Sequence, residues 1–122
     1  MRIISGSLKG RKLSGYDIPG TRPTMDKVKE SMFAMIQDRI NDRIALDLFA
    51  GTGSLGLEAI SNGAEHCYFV DRNFKCTQII AKDIQTFGIQ DKATVLTMNW
   101  QKALSFFKEK NIQFDLVFLD PP

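Results

Sequence analysis

The 122-residue chain predicts an α/β fold, an open parallel sheet flanked by helices. Three observations carry this. From residue 44 onward, short apolar runs alternate with stretches of helical periodicity, the pattern of strands joined by crossover helices. The first apolar run, Ile44 to Phe49, breaks into a glycine-rich turn, Gly51-Thr52-Gly53-Ser54-Leu55-Gly56. The first, second and fourth runs each end at an acid (Asp47, Asp71 and Asp120), and the third is followed by Asn99.

Taken in order, residues 1–20 form an N-terminal extension. Arg2-Ile3-Ile4 and Arg11-Lys12-Leu13 flank Lys9-Gly10, which predicts a β-hairpin with a glycine turn. Residues 21–43 form a second segment. Pro23 keeps Arg22 extended, and Thr24 is suited to cap a helix with Asp26 in its first turn. Met25, Val28, Met32, Met35 and Ile36 recur at helical spacing, with Phe33 and Ile40 widening the stripe, which predicts a core face and places Lys27, Lys29 and Glu30 elsewhere. Residues 44–122 form the nucleotide-type core. A helix from about Leu55 to Asn62 stops at Gly63; a strand Cys67–Val70 ends on Asp71; Asn73 caps a helix through Phe87, closed by Gly88. A strand Thr94–Met98, a helix from about Gln101 to Lys110 and a strand Leu116–Leu119 complete the chain, which is expected to be one domain.

Composition narrows the function classes. No apolar run approaches the roughly 18 residues of a membrane span, and no signal-peptide pattern opens the chain. Cys67 and Cys76 lack CxxC spacing and His66 is the single histidine, so neither a metal site nor a disulfide framework is expected, and the address is cytoplasmic. The net charge of +2 is unevenly spread: residues 1–29 hold seven Lys/Arg against Asp17 and Asp26, whereas residues 44–122 hold slightly more acids than bases. Such a basic end suits a polyanionic partner, with a plain solvated face as the alternative.

In an open parallel sheet, ligands bind outside the carboxyl ends of the strands, so Asp47, Asp71, Asn99 and Asp120 should line one crevice. The glycines satisfy G-x-G-x-x-G, which by itself suits a dinucleotide. Asp71, 18 residues after Gly53, is placed to accept from a ribose diol, a feature common to NAD and S-adenosylmethionine. Asp47 discriminates between them, because its charge before the turn would oppose a pyrophosphate and suit the ammonium of an amino acid. Asn99 and Trp100 offer an amide and a flat apolar face for an adenine. In Asp120-Pro121-Pro122 the prolines remove two N–H donors, and the Asp carboxylate with a nearby carbonyl can accept both protons of an exocyclic amine. Holding those protons aims the nitrogen lone pair at a methyl donor, so positioning carries the catalysis.

These residues resemble the RsmD-type methyltransferases, which methylate the exocyclic N2 of a guanine in small-subunit ribosomal RNA. The matching pieces are Met1-Arg2-Ile3-Ile4-Ser5-Gly6, Gly10-Arg11-Lys12-Leu13, Thr21-Arg22-Pro23-Thr24 with Asp26-Lys27-Val28-Lys29-Glu30-Ser31, Leu46 through Gly56, and Asp120-Pro121-Pro122. The resemblance implies a Rossmann-like class I methyltransferase sheet of strand order 3-2-1-4. It further implies S-adenosyl-L-methionine held by Asp47, Phe49, Gly51, Gly53, Asp71, Arg72, Asn99 and Trp100, with Arg22 and Thr24 closing over its methionine end. Asp120 and Pro121 would hold the guanine amine, and Arg2, Lys9, Arg11 and Lys12 would grip the RNA, in a cytoplasmic enzyme of the small ribosomal subunit. Asn99 departs from the acid common in related enzymes. The family also continues past the equivalent of Pro122, with an aromatic that stacks on the target base and further strands, so the chain is expected to be an N-terminal two-thirds whose fourth strand is an apolar edge prone to self-association. Left open are an adenine-N6 methyltransferase of DNA or RNA, an NAD-binding module and a non-catalytic nucleic-acid-binding module.

Overall fold

A computed structural model describes residues 1–17 and 24–121, with side chains throughout except at residues 16, 17 and 24–26. Four parallel strands, β1 (Ile44–Asp47), β2 (His66–Asp71), β3 (Ala93–Thr97) and β4 (Leu116–Phe118), form one sheet in the order β3-β2-β1-β4. This is the predicted order. Asp47 pairs with Phe69 on one side and Phe118 on the other, so the acids two residues beyond those partners, Asp71 and Asp120, extend past the same edge.

Strand alternation divides the core into two faces. Ala45, Cys67, Phe69 and Phe118 face a cluster built with Leu57, Ala59 and Ile60 of α2 (Ser54–Ser61), Ile80 and Ile84 of α3 (Phe74–Phe87) and Phe33 of α1 (Thr24–Ile36). Leu46, Leu48 and Val70 face the other way, against Ala103 and Phe107 of α4 (Trp100–Glu109). Here Phe107 meets Tyr68 and Phe114 edge-on, with ring centroids 5.5 and 4.8 Å apart.

Helix ends follow local chemistry. Asn73 accepts from the Lys75 N–H at 2.9 Å, and Gly88 ends α3 in the left-handed region at φ +67°. Gly53, at φ +89°, turns the chain into α2, a conformation costly for any residue with a Cβ. Gly56 serves a different need: a Cβ there would collide with the Phe69 ring, so the third glycine lets the helix lie against the sheet.

Two expectations are corrected. The predicted inward stripe of α1 included Val28 and Met35, but these are 68% and 79% exposed; Phe33 turns inward as predicted, Met32 and Ile36 are half-buried, and Lys29, expected on another face, is buried with them. Phe33 wins because its ring packs on Phe118 at 5.6 Å, and Lys29 because Glu58 awaits it. The N-terminal hairpin shortens to a single antiparallel bridge, Arg2 to Lys12, flanked by bonds from the Ile3 N–H to the Arg11 carbonyl and from the Leu13 N–H to the Met1 carbonyl. The ladder stops there because the next N–H groups bond elsewhere: those of Ile4 and Ser5 to Glu58, and that of Ser7 to the Ser61 carbonyl, all on α2.

Candidate active site

The carboxyl ends of the strands gather the predicted acids. Asp47 ends β1 in a fully buried position beneath α2, where its Oδ2 accepts the Gly56 N–H at 3.0 Å. Burial pushes its pKa from 3.8 up to about 7; the Gly56 N–H opposes this, and the charges of Asp120 and Asp71 add to it. By strand register the three acids lie at one edge of the sheet, Asp47 buried at the end of β1 and Asp71 and Asp120 two residues beyond its paired neighbours. Asp47 thus ties strand to helix, and a cation placed beside it would favour its charged form.

Asp71 clamps two loops. Its Oδ2 accepts the Gly51 N–H at 2.9 Å and its Oδ1 accepts the Asn73 N–H at 2.8 Å, so the glycine turn and the loop into α3 hold one shape before any ligand arrives. A Cβ on Gly51 would meet nothing within 4 Å, so the space beside the turn is open. Asn99 caps α4 by accepting the Lys102 N–H at 2.8 Å, leaving its amide NH2 for another partner. Trp100, the first residue of α4, is 44% exposed at the end of β3, and Phe49 is half-buried against the α4 side of the sheet. Arg72, Asp120 and Pro121 are exposed; Pro122 lies outside the described residues. Phe74, which opens α3 three residues after Asp71, is a large exposed aromatic that sequence reasoning passed over, since at a helix start it reads as an ordinary first-turn residue.

The predicted RNA-gripping residues lie on the N-terminal arm. Arg2, Lys9, Arg11 and Lys12 are all exposed. Arg2 donates to the Gly10 carbonyl at 2.8 Å, and with Lys9 and Glu30 it lines an open cleft of about 400 Å³ between the arm and α1. Arg11 leans on α3, its guanidinium 4.7 Å over the Phe87 ring and donating to the Thr86 carbonyl. Arg22 lies outside the described residues, and Thr24 begins α1 without a described side chain, so the expected closure over the cofactor lies outside them too.

Sequence reasoning missed the buried pair Lys29–Glu58, with Nζ and Oε1 3.2 Å apart. A signal existed: Glu58 is the one charge in the helix Ser-Leu-Gly-Leu-Glu-Ala-Ile-Ser, which the structure buries almost entirely, and a buried carboxylate demands partners. Lys29 carried none, standing among other charged residues of α1.

A sheet of order 3-2-1-4, a glycine turn entering α2 and acids at the strand ends define the fold of the class I S-adenosylmethionine-dependent methyltransferases. Solved structures agree. The yhhF protein of Escherichia coli superimposes with a TM-score of 0.82 at 34% identity, over 100% of this chain and 64% of that one. A SAM-dependent methyltransferase from Agrobacterium tumefaciens shares the fold, with a TM-score of 0.68 at 22% identity over 84% of this chain and 33% of that one. The chain belongs to the RsmD family: the family described as Conserved hypothetical protein 95 matches residues 1–122 throughout. Among its relatives, YlbH of Bacillus subtilis is 47% identical over 122 residues, and ribosomal RNA small subunit methyltransferase D of Escherichia coli K12 is 39% identical over 122. In both cases all of this chain is matched, and it spans 66% and 60% of the length of those relatives.

Proposed function

We propose that this chain is the cofactor-binding and amine-positioning part of an S-adenosylmethionine-dependent methyltransferase acting on the exocyclic N2 of a guanine in small-subunit ribosomal RNA. The observation that carries the reading is the sheet edge where β1, β2 and β4 end: Asp47 closes β1, Asp71 accepts the Gly51 N–H of the open glycine turn, and Asp120 follows β4. The name of the Escherichia coli relative supports the RNA substrate, and the resemblance supports the guanine N2.

The residues present fit the cofactor. The open space beside Gly51 admits a ligand against the backbone, and Gly53 shapes the turn. Asp71, pre-ordered by the Gly51 and Asn73 N–H groups, accepts from the ribose hydroxyls with its remaining lone pairs. Arg72 flanks that acid, Phe49 backs the turn, and the Asn99 amide and Trp100 ring meet the adenine. Asp47 provides the negative charge toward the methionine ammonium, with Arg22 and Thr24 covering that end. S-adenosylmethionine, when bound, supplies a methyl group on a positively charged sulfur, so the displacement needs no Lewis acid. Asp120 accepts a hydrogen bond from the guanine amine and, with the rigid backbone at Pro121, points its lone pair at that methyl. With the cofactor bound, the nitrogen–carbon bond would form as the sulfur–methyl bond breaks to leave S-adenosylhomocysteine, and the Asp120 carboxylate would take the amine's proton.

Arg2, Lys9, Arg11 and Lys12 contact the phosphates of the RNA, so binding weakens steeply with salt. Such a substrate places the protein in the cytoplasm, and among the described residues no helix is long and apolar enough to cross a membrane. Transfer of radiolabelled methyl groups onto small ribosomal subunits is expected, with duplex DNA inert; labelling of DNA adenine instead would favour an adenine-N6 enzyme, for which Asp-Pro-Pro serves equally. NAD binding without S-adenosylhomocysteine binding in calorimetry would overturn the reading. β4 is an apolar edge strand, with Val117 half-exposed and Leu119 open to solvent, and it disposes the 122-residue chain to self-associate. Sedimentation is expected to detect oligomers that grow with concentration; a clean monomer would refute this.

A further inference from the structure

Three parts of the molecule meet at one buried ion pair. Lys29 of α1 and Glu58 of α2 are 3% and 0% exposed. The Lys29 ammonium donates to Ser54 Oγ at 2.8 Å, where Ser54 is the first residue of α2 and follows the glycine turn. This puts a cation at the positive end of the helix dipole, an unfavourable position that Glu58, one turn further on, offsets. Glu58 in turn accepts from the arm: the Ile4 N–H at Oε1, and the Ser5 N–H and hydroxyl at Oε2, each at 3.0 Å. Asn62 donates to the same Oε2 at 3.3 Å. Every oxygen of the carboxylate is occupied.

Burying an ion pair seldom stabilises more than packing apolar residues of the same size would, because desolvation consumes the Coulombic gain. What it supplies is geometry. We infer that Lys29 and Glu58 are positioning residues that fasten the nucleic-acid-gripping arm to the cofactor turn, so that RNA docking and cofactor binding act on one rigid unit. The inference rests on the proposed RNA methyltransferase reading. The chain of contact runs from Arg2 through Ile4 and Ser5 to Glu58, then along α2 to Ser54 and the turn at Gly53. Neither side chain touches the crevice acids in any described contact, so their loss shifts where the arm stands and leaves the chemistry alone.

The test is the double variant Lys29→Met/Glu58→Gln, which keeps the side-chain volumes and removes both charges together. Wild-type and variant proteins are compared in KM and kcat for methylation of unmethylated small ribosomal subunits, and in S-adenosylhomocysteine affinity with and without those subunits. The variant is expected to keep kcat and subunit-free cofactor affinity within about threefold, raise KM for subunits tenfold or more, and lose the tightening of cofactor binding by RNA. Unchanged KM in a folded double variant would overturn the inference. Should the double variant fail to fold, Ser5→Ala, which severs one arm contact, is expected to raise KM several-fold with kcat kept, and an unchanged KM there overturns it equally. Hydrogen exchange reads the same link without turnover: the Ile4 and Ser5 amides are protected in the wild type and exchange at least tenfold faster in the variant. If the wild-type protein binds S-adenosylhomocysteine and methylates no RNA, the substrate reading fails while the exchange result still decides the fastening.

Discussion

The two faces of the sheet are built from different chemistry. The face under α1, α2 and α3 buries ionisable groups: Asp47, Lys29, Glu58, and Asp83, which accepts from the Ser14 N–H and hydroxyl. The face under α4 buries only apolar groups, chiefly the aromatic cluster of Tyr68, Phe106, Phe107 and Phe114. One face is a scaffold of directed bonds that fixes where the arm, the turn and α2 stand. The other seals the sheet mainly by area and ring packing, with the His66–Thr94 bond at 2.7 Å as a directed contact at its margin. Position costs desolvation, and the molecule accepts that cost only on the face that leads to the crevice.

The largest effect should come from neither face but from the rim they share. Asp120→Ala is expected to reduce methyl transfer by about a thousandfold or more, as loss of an amine-positioning group would, with S-adenosylhomocysteine binding retained in calorimetry. Substantial residual turnover would remove Asp120 from its role. Next in size is Phe107→Ala, which empties the centre of the aromatic seal and is expected to cost about 3–5 kcal/mol in urea unfolding. That loss should not vary between pH 5 and 8, and the folded protein should bind cofactor as before. A fall in cofactor affinity would break the separation of the two faces.

The smallest effect, Asp47→Asn, sharpens the comparison through pH. With a folded pKa of about 7 against an ordinary 3.8, the Asp47 carboxyl contributes stability that is full below about pH 4 and is lost as pH rises through about 7. The wild type should therefore lose thermal stability between pH 5 and 8 relative to the amide variant, whose Oδ1 still accepts the Gly56 N–H. Parallel melting profiles would refute this. If the cofactor's ammonium meets Asp47, wild-type affinity for S-adenosylhomocysteine should rise over the same range, and that of the variant should not.

What the sequence by itself determined is what depends on neighbours along the chain. Strand and helix periods, the Asn73 cap, the left-handed Gly88 and the acids at strand ends are local properties, and in a parallel sheet the carboxyl ends of neighbouring strands lie along one edge, so Asp47, Asp71 and Asp120 could be assigned to that edge from spacing alone. Local reasoning failed where two elements compete for the same surface. The stripe of α1 contains apolar residues on two sides, and only the presence of Phe118 and Glu58 decides that Lys29 joins the predicted Phe33 inside while Val28 and Met35 face water. The hairpin pattern of the arm is sound, yet its N–H groups find better acceptors on α2, more than fifty residues away. Burial of a charge is likewise a property of the assembled molecule: the sequence lists Lys29, Glu58 and Asp47 among its ordinary charges, and only tertiary contact takes them out of water and gives them partners.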